Sequence, residues 1–127
     1  MSELRFDGKV AIITGAGRGI GKGCALALAE AGADIILNDK PGSPDIATTA
    51  GEIRALGRHC WAIESDIFSR PGCESLVAAA LGEAGRIDIL ISNPAYSRRE
   101  TFLDFDPDIF DRTLQGALTS GFHMSQL

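Results

Sequence analysis

Glycines recur at every second position of one short stretch, which separates an apolar run from a helical pattern: Gly15, Gly17, Gly19 and Gly21. Glycine lets a backbone turn sharply and approach a ligand closely. The preceding run, residues 10–13, is continuously apolar, as in a parallel strand covered on both faces. After Gly19 the apolar residues recur at helical spacing. Because the first N–H groups of a helix are unpaired and lie at the positive end of its dipole, we predict a pyrophosphate-binding site here.

Strand-like and helix-like segments alternate along the whole chain. We predict strands at residues 10–13, 34–39, 59–63 and 87–92, with helices between them and a last helix that begins at Pro107. This alternation is typical of βαβ units with right-handed crossovers and a parallel sheet. We therefore expect an α/β fold, a Rossmann-type doubly wound parallel sheet with the strand order 3-2-1-4. That order places the glycine turn at the switch point of the sheet, where ligands bind.

Length and composition limit the class of protein. The chain has 127 residues and a net charge of −5, which argues against a nucleic-acid surface because such a surface needs a basic patch. No apolar run approaches the length of a membrane-spanning helix. The three cysteines, Cys24, Cys60 and Cys73, have no metal-like spacing and are odd in number. We interpret them as reduced, packed thiols of a cytoplasmic protein without a metal site.

The glycine stretch carries a family resemblance. Its pattern, Thr14-Gly15-x-x-x-Gly19-x-Gly21, resembles the T-G-x-x-x-G-x-G signature of the short-chain dehydrogenase/reductase family. The resemblance spans residues 1–127 but covers only the amino-terminal half of the family pattern, so we expect the dinucleotide-binding part of a single, incomplete Rossmann domain. It implies that the turn residues bind the cofactor: Gly15, Arg18, Gly19, Ile20 and Gly21.

Asp39 ends the second predicted strand, 18 positions after Gly21. At this place an acidic residue can accept hydrogen bonds from the adenosine ribose hydroxyls. It would repel the 2′-phosphate of NADP, so we predict NAD as the cofactor and NADP as the less favoured alternative. Lys40 and Arg18 favour the alternative, because either cation could pair with the 2′-phosphate of NADP. A solvated aspartate that opens a turn is the structural alternative.

The ends of the third and fourth strands carry further candidates. The resemblance implies that Asp66, followed by Ile67, contacts the edge of the adenine ring; the alternative is an acid that favours a helix N-terminus. The family motif N-N-A-G is replaced by Ser92-Asn93-Pro94-Ala95, in which only Asn93 keeps its place. Ala95 adds a methyl group where the family backbone passes the cofactor ribose. We expect Asn93 to brace the sheet or the nicotinamide half of the site.

The chain offers no catalytic residue. The family's Tyr-x-x-x-Lys pair is absent, since Tyr96 is the single tyrosine and Glu100 stands four positions after it. Ala117 occupies the position of the family's active-site Asn. The resemblance implies a complete protein that transfers a hydride between NAD and a small alcohol or carbonyl compound, as a homo-oligomer. The alternatives are a non-catalytic nucleotide-binding or interaction module and, disfavoured by the glycine spacing, another Rossmann enzyme such as a methyltransferase.

Overall fold

The computed structural model describes residues 4–127. Four parallel strands form one sheet in the order β3-β2-β1-β4: β1 (Val10–Ile13), β2 (Asp34–Asp39), β3 (Cys60–Glu64) and β4 (Ile89–Ile91). The predicted fold class and strand order are confirmed. The helices that alternate with the strands and follow them are α1 (Gly19–Glu30), α2 (Ile46–Ala55), α3 (Arg70–Ala84), α4 (Pro107–Leu114) and α5 (Ser120–Gln126). Within residues 4–127, no helix is both long enough and apolar enough to cross a lipid bilayer.

The central strands are buried because helices cover both faces of the sheet. All four residues of β1 are buried, and so are residues 35–38 of β2, which are three apolar residues and Asn38. Successive strand residues face opposite sides. One side packs against α1 and α2, and the other packs against α3 and Met124 of α5. A strand buried on both sides must be apolar at every position, which explains the unbroken apolar run of β1.

Capping residues mark the beginning of α3 and the ends of α1 and α3. The Ser69 hydroxyl accepts a hydrogen bond from the Gly72 N–H at 3.2 Å and caps α3, and Gly85 closes that helix in the left-handed region with a φ of 78°. Gly32 follows α1 with a φ of 102°, as expected for a glycine just past a helix end. The sequence therefore determines these boundaries locally.

Two strands differ from the prediction at their ends. Strand β3 lies one residue later, and β4 is shorter, Ile89–Ile91 instead of residues 87–92. Before β4, the Asp88 N–H donates to the Val10 carbonyl at 2.8 Å, but the Val10 N–H donates to the Asp88 carboxylate at 2.9 Å, so a side chain replaces the backbone acceptor. After β4, the Asn93 N–H donates to the Thr14 hydroxyl at 3.0 Å instead of to a backbone carbonyl. Side-chain hydrogen bonds thus end the β4 ladder on both sides.

The predicted inner face of the last helix is wrong at three of its six residues. The pattern favours Ile109, Phe110, Thr113, Leu114, Ala117 and Gly121, but Phe110, Leu114 and Ala117 are exposed. The buried residues are instead Gly116, Ser120 and Met124. A π-helical turn, Gln115–Thr119, joins α4 to α5. The buried Gly116 and Ser120 lie one residue before the predicted positions 117 and 121, because a helix can approach the Phe68 ring only where it has no side chain, and a Cβ atom at Gly116 would overlap that ring.

Candidate cofactor site

The glycine turn leads directly from β1 into α1. Gly15 and Gly19 have φ values of 62° and 63°, in the left-handed region that favours glycine. A Cβ atom at Gly19 would meet no heavy atom within 4 Å, so this residue borders open space. A Cβ atom at Gly21 would lie 2.5 Å from the Gly15 carbonyl oxygen. Gly21 is buried and lets the helix pack on the turn, whereas Gly19 leaves the start of α1 open to the space beside it.

Hydrogen bonds from three neighbouring elements hold this turn. The Ala16 N–H donates to the Asn38 carbonyl of β2 at 2.8 Å. The buried Thr49 hydroxyl of α2 donates to the Gly17 carbonyl at 2.6 Å. From the end of β4, the Asn93 side-chain amide donates to the Gly15 carbonyl at 3.2 Å. The prediction that Asn93 braces the sheet therefore agrees with its contacts, and the turn is preorganised.

A cavity of about 430 Å³, which we call the turn cavity, opens beside these residues. It is lined by six of the predicted site residues, namely Gly15, Arg18, Gly19, Ile20, Asp39 and Asn93. Ile20 is 79% exposed. Ile20 therefore does not share the buried face of α1, which consists of Gly21, Ala25 and Ala29. Lys40, Ser43, Asp45 and Ala95 also line the cavity, so two cations and two carboxylates border the same space.

The carboxylate of Asp39 is oriented by its neighbours. One oxygen, Oδ1, accepts the Lys40 backbone N–H at 2.9 Å, and Oδ2 accepts the Ser43 hydroxyl at 2.6 Å. A Cβ atom at Gly17 would overlap Oδ2, so the carboxylate lies directly against the glycine turn. An ionised carboxylate has about four acceptor positions. These two bonds leave capacity for further donors from the cavity.

A second cavity of about 250 Å³, the side cavity, adjoins the first. Both are lined by Gly15, Asp39, Lys40 and Ala95. Asp66 and Ile67 lie here, as do Asn38, Phe68, Tyr96 and Arg112. Asp66 accepts the Phe68 N–H through Oδ1 at 3.0 Å, and Ile67 is 5% exposed and packs with α3. The predicted residues thus divide between two adjacent cavities, apart from the buried Gly21.

One wall of the side cavity has no counterpart in the sequence analysis. The Arg112 guanidinium of α4 lies 4.7 Å from the centroid of the Phe68 ring and 5.5 Å from that of Tyr96. The two rings meet edge to face, with centroids 6.4 Å apart. A Cβ atom at Gly116 would overlap the Phe68 ring, so the absence of a side chain in the π turn makes room for it. No local pattern connects these distant positions, because only the fold brings them together.

The cysteines take no part in this site. Burial raises the pKa of the Cys60 thiol to about 11 and also raises the pKa of Cys73. Both thiols are packed in the core, as predicted, and Cys24 is half-buried on α1. Among residues 4–127, no group of three or more His, Cys, Asp or Glu side chains is arranged to hold a metal ion.

Comparison with known proteins places this geometry in a family. The model of the family described as short chain dehydrogenase matches residues 9–127. The chain is 36% identical to 2-dehydro-3-deoxy-D-gluconate 5-dehydrogenase of Escherichia coli K12 across 99% of its own length and 49% of that protein.

Solved structures agree with the sequence match. A 7α-hydroxysteroid dehydrogenase complexed with NADH and 7-oxo glycochenodeoxycholic acid superposes with a TM-score of 0.90 at 37% identity, covering 97% of this chain and 48% of the other. Carveol dehydrogenase from Mycobacterium avium in complex with NAD gives a TM-score of 0.87 at 29% identity, covering 97% and 49%. The chain spans about half the length of these relatives. With its glycine turn, its strand order and these matches, the chain belongs to the short-chain dehydrogenase family.

Proposed function

We propose that this chain is the cofactor-binding half of an oxidoreductase that transfers a hydride between NAD and a small alcohol or carbonyl compound. One observation carries the proposal: the N-terminus of α1 at Gly19 and the Asp39 carboxylate line the same cavity of about 430 Å³. The first is suited to a pyrophosphate and the second to a ribose diol. A nucleoside diphosphate carries both groups, and a nicotinamide dinucleotide contains one; the family supports the dinucleotide.

Each residue has a defined task in this proposal. The N–H groups that begin α1 at Gly19 hold the pyrophosphate, Asp39 accepts from the adenosine ribose, and Asp66 with Ile67 receives the adenine. Asn93 holds the turn through the Gly15 carbonyl. When bound, the dinucleotide supplies the hydride or accepts it. The chain's own residues bind and orient it.

The choice between NAD and NADP depends on charge near the ribose. A 2′-phosphate would lie beside the Asp39 carboxylate, which repels it. Arg18 and Lys40 line the same cavity and would offset part of that repulsion. Two hydrogen bonds, from Lys40 and Ser43, fix the Asp39 carboxylate beside the turn. Because this negative charge is fixed at the ribose position, we propose that NAD is preferred.

Replacement of Asp39 tests the assignment. We expect Asp39→Ala to weaken NAD binding roughly 10- to 100-fold, because a lost hydrogen bond to a charged group costs about 1.5–3 kcal/mol and each 1.4 kcal/mol is tenfold. Titration calorimetry with NAD and NADP measures both affinities. Asp111→Ala, which removes an exposed carboxylate of α4 outside both cavities, is the control. Equal affinities of the unaltered chain for NAD and NADP would contradict the preference.

A glycine substitution tests the pyrophosphate site separately. We expect Gly19→Val to abolish NAD binding, because a β-branched side chain would enter the space beside the helix N-terminus and would strain the left-handed backbone. Circular dichroism should show that the sheet persists. Gly23 lies on α1, and a Cβ atom there would meet nothing within 4 Å. The Gly23→Ala variant is the control and should bind NAD as the unaltered chain does. If Gly19→Val bound NAD as well as the unaltered chain does, the turn would have only a structural role and would not bind the pyrophosphate.

The remaining properties are proposed for the complete protein. The relatives named above are dehydrogenases of different compounds, so we propose a substrate class, a small alcohol or carbonyl compound, and no single substrate. We also propose a cytoplasmic homo-oligomer. The unpaired, buried Cys60 and Cys73 are consistent with a reducing compartment.

A non-catalytic nucleotide-binding or interaction module is the second candidate function. Ala117, in place of the family's Asn, lies in the π turn with no polar group, and Ala95 lines both cavities. These substitutions favour the second candidate more than a standard family sequence would. Hydride transfer by the complete protein to any alcohol or carbonyl compound would exclude it, and NAD binding without transfer would support it.

A further inference from the structure

Thr49 is a buried polar residue of α2 that contacts the glycine turn from below. It is 1% exposed, and its hydroxyl donates to the Gly17 carbonyl oxygen at 2.6 Å. Gly17 lies between the end of β1 and the beginning of α1. The bond from Thr49 therefore attaches a neighbouring helix to the part of the turn that belongs to neither element.

The direction of the Gly17 carbonyl fixes the direction of the next N–H group. The peptide that joins Gly17 to Arg18 is trans and planar, so its C=O and N–H bonds point in opposite directions. Because Thr49 holds the carbonyl toward α2, the Arg18 N–H points away from that helix. Arg18 lines the turn cavity, and Gly17 does not.

The Arg18 N–H is available to an anion. Among residues 4–127 it has no hydrogen-bond partner. Arg18 is the N-cap of α1, so this N–H lies beside the unpaired N–H groups of the first turn and at the positive end of the helix dipole. Phosphate oxygens accept hydrogen bonds from N–H groups in such a place.

We propose that Thr49 is a positioning residue for the cofactor pyrophosphate: it holds the peptide between Gly17 and Arg18 in the orientation in which the Arg18 N–H donates to a phosphate oxygen. The inference rests on the proposed function, because it requires a pyrophosphate at the start of α1. Thr49 lines neither cavity, so it acts through this peptide. Without its hydroxyl the Gly17 carbonyl would be a buried acceptor with no donor. A peptide that rotated to relieve this would present a carbonyl oxygen, which repels phosphate.

Ligands with and without phosphate groups test this role. Thr49→Val keeps the shape of the side chain and removes its hydroxyl. We expect its affinity for NAD and for ADP to fall about tenfold, because a hydrogen bond to a charged group is lost. Its affinity for adenosine, which has no phosphate, should not change, whereas a defect of the whole fold would weaken all three. Titrations followed by NMR measure these affinities.

Two further variants complete the comparison. Thr49→Ser keeps the hydroxyl and should largely restore the affinity for ADP. Thr48→Val removes the hydroxyl of the exposed neighbour on α2 and is the matched control, which should bind ADP as the unaltered chain does.

The outcomes separate this inference from the proposed function. Equal losses of ADP and adenosine affinity in Thr49→Val, or no loss of either, overturn the inference and leave the proposed function intact. A Thr49→Ser variant that binds ADP as weakly as Thr49→Val overturns it as well. Failure of the unaltered chain to bind NAD or ADP overturns the proposed function, and the inference with it.

The Arg18 amide proton decides if Thr49→Val does not fold or if adenosine binds too weakly to measure. In the unaltered chain we expect its NMR resonance to move downfield when ADP is added and to stay in place when adenosine is added. A resonance that does not respond to ADP overturns the inference.

Discussion

The Asp39 carboxylate is positioned as much by a missing side chain as by its hydrogen bonds. Lys40 and Ser43 each donate to one oxygen, at 2.9 and 2.6 Å. Gly17 lies directly beneath Oδ2, and any Cβ atom there would overlap it. The glycine turn and the acidic residue are therefore one unit, although they belong to different βα junctions. Gly17 acts through Asp39 and is a positioning residue.

Gly17→Ala tests this at the residue scale. We expect NAD affinity to fall about tenfold, because the new methyl group displaces the carboxylate from the ribose position and a hydrogen bond to a charged group is worth about 1.5–3 kcal/mol. NADP affinity should fall less, so the ratio of the two affinities should change. Gly17 has no positive φ, so backbone strain does not confuse the result. Gly23→Ala is the matched control, and an unchanged NAD-to-NADP ratio in Gly17→Ala would contradict this role.

At the scale of the elements, Asp88 joins β4 to the centre of the sheet. Its Oδ2 accepts the Val10 N–H at 2.9 Å, and its Oδ1 accepts from the Arg86 guanidinium at 2.7 Å. The hydrogen bond from Arg86, followed by that from the Val10 N–H, holds the pKa of Asp88 below its ordinary value. The fold therefore stabilises the ionised carboxylate of Asp88 relative to its protonated form.

The lowered pKa has a consequence for stability. A carboxyl group with a lower pKa in the folded state stabilises the fold above its unfolded pKa of about 3.9 and loses this contribution as the pH falls through the folded value. We expect Asp88→Asn to be less stable than the unaltered chain at pH 6, with the difference shrinking toward pH 2. Urea unfolding at several pH values measures it. Glu83→Gln is the control, and a difference independent of pH would contradict the assignment.

For the whole molecule, the exposed edge of β4 governs whether the chain associates with other copies. It pairs with β1 on one side, and among residues 4–127 no strand pairs with its other side. An open apolar edge is a template for association. Several large apolar side chains are also exposed along the segment that follows β4: Phe102, Leu103, Phe110, Leu118 and Phe122. Patches of this kind mark surfaces that bind other protein.

The 127-residue chain alone should therefore associate and should not transfer hydride. Transfer to a carbonyl needs a proton donor within about 2.6–3.2 Å of its oxygen, and this chain has no Tyr-x-x-x-Lys pair. Sedimentation velocity and NADH oxidation with a panel of small ketones and aldehydes measure the two properties. A monodisperse monomer with turnover would contradict both expectations and would direct attention to His123 and Asp111 as acids.

The sequence by itself determined the frame of the site. The apolar run of β1, the glycines at 15 and 19 and the caps at Ser69 and Gly85 act through backbone sterics and local hydrogen bonds, so a short window contains their cause. The alternation of strands and helices then restricts the topology to few choices, and the predicted order was confirmed. Asp39 was predictable as a candidate because it ends β2 at the carboxyl edge of the sheet, where folds of this kind bind ligands.

Only the tertiary structure decided what surrounds those residues. Packing decided the inner face of the last helix, because Gly116 is buried where its missing side chain makes room for the Phe68 ring, and apolar spacing does not reveal such a contact. The stack of Arg112 on Phe68 and the hydrogen bond from Thr49 to Gly17 depend on segments far apart in the chain. Whether a buried polar atom finds a partner is settled by packing in three dimensions, and no local pattern carries that information.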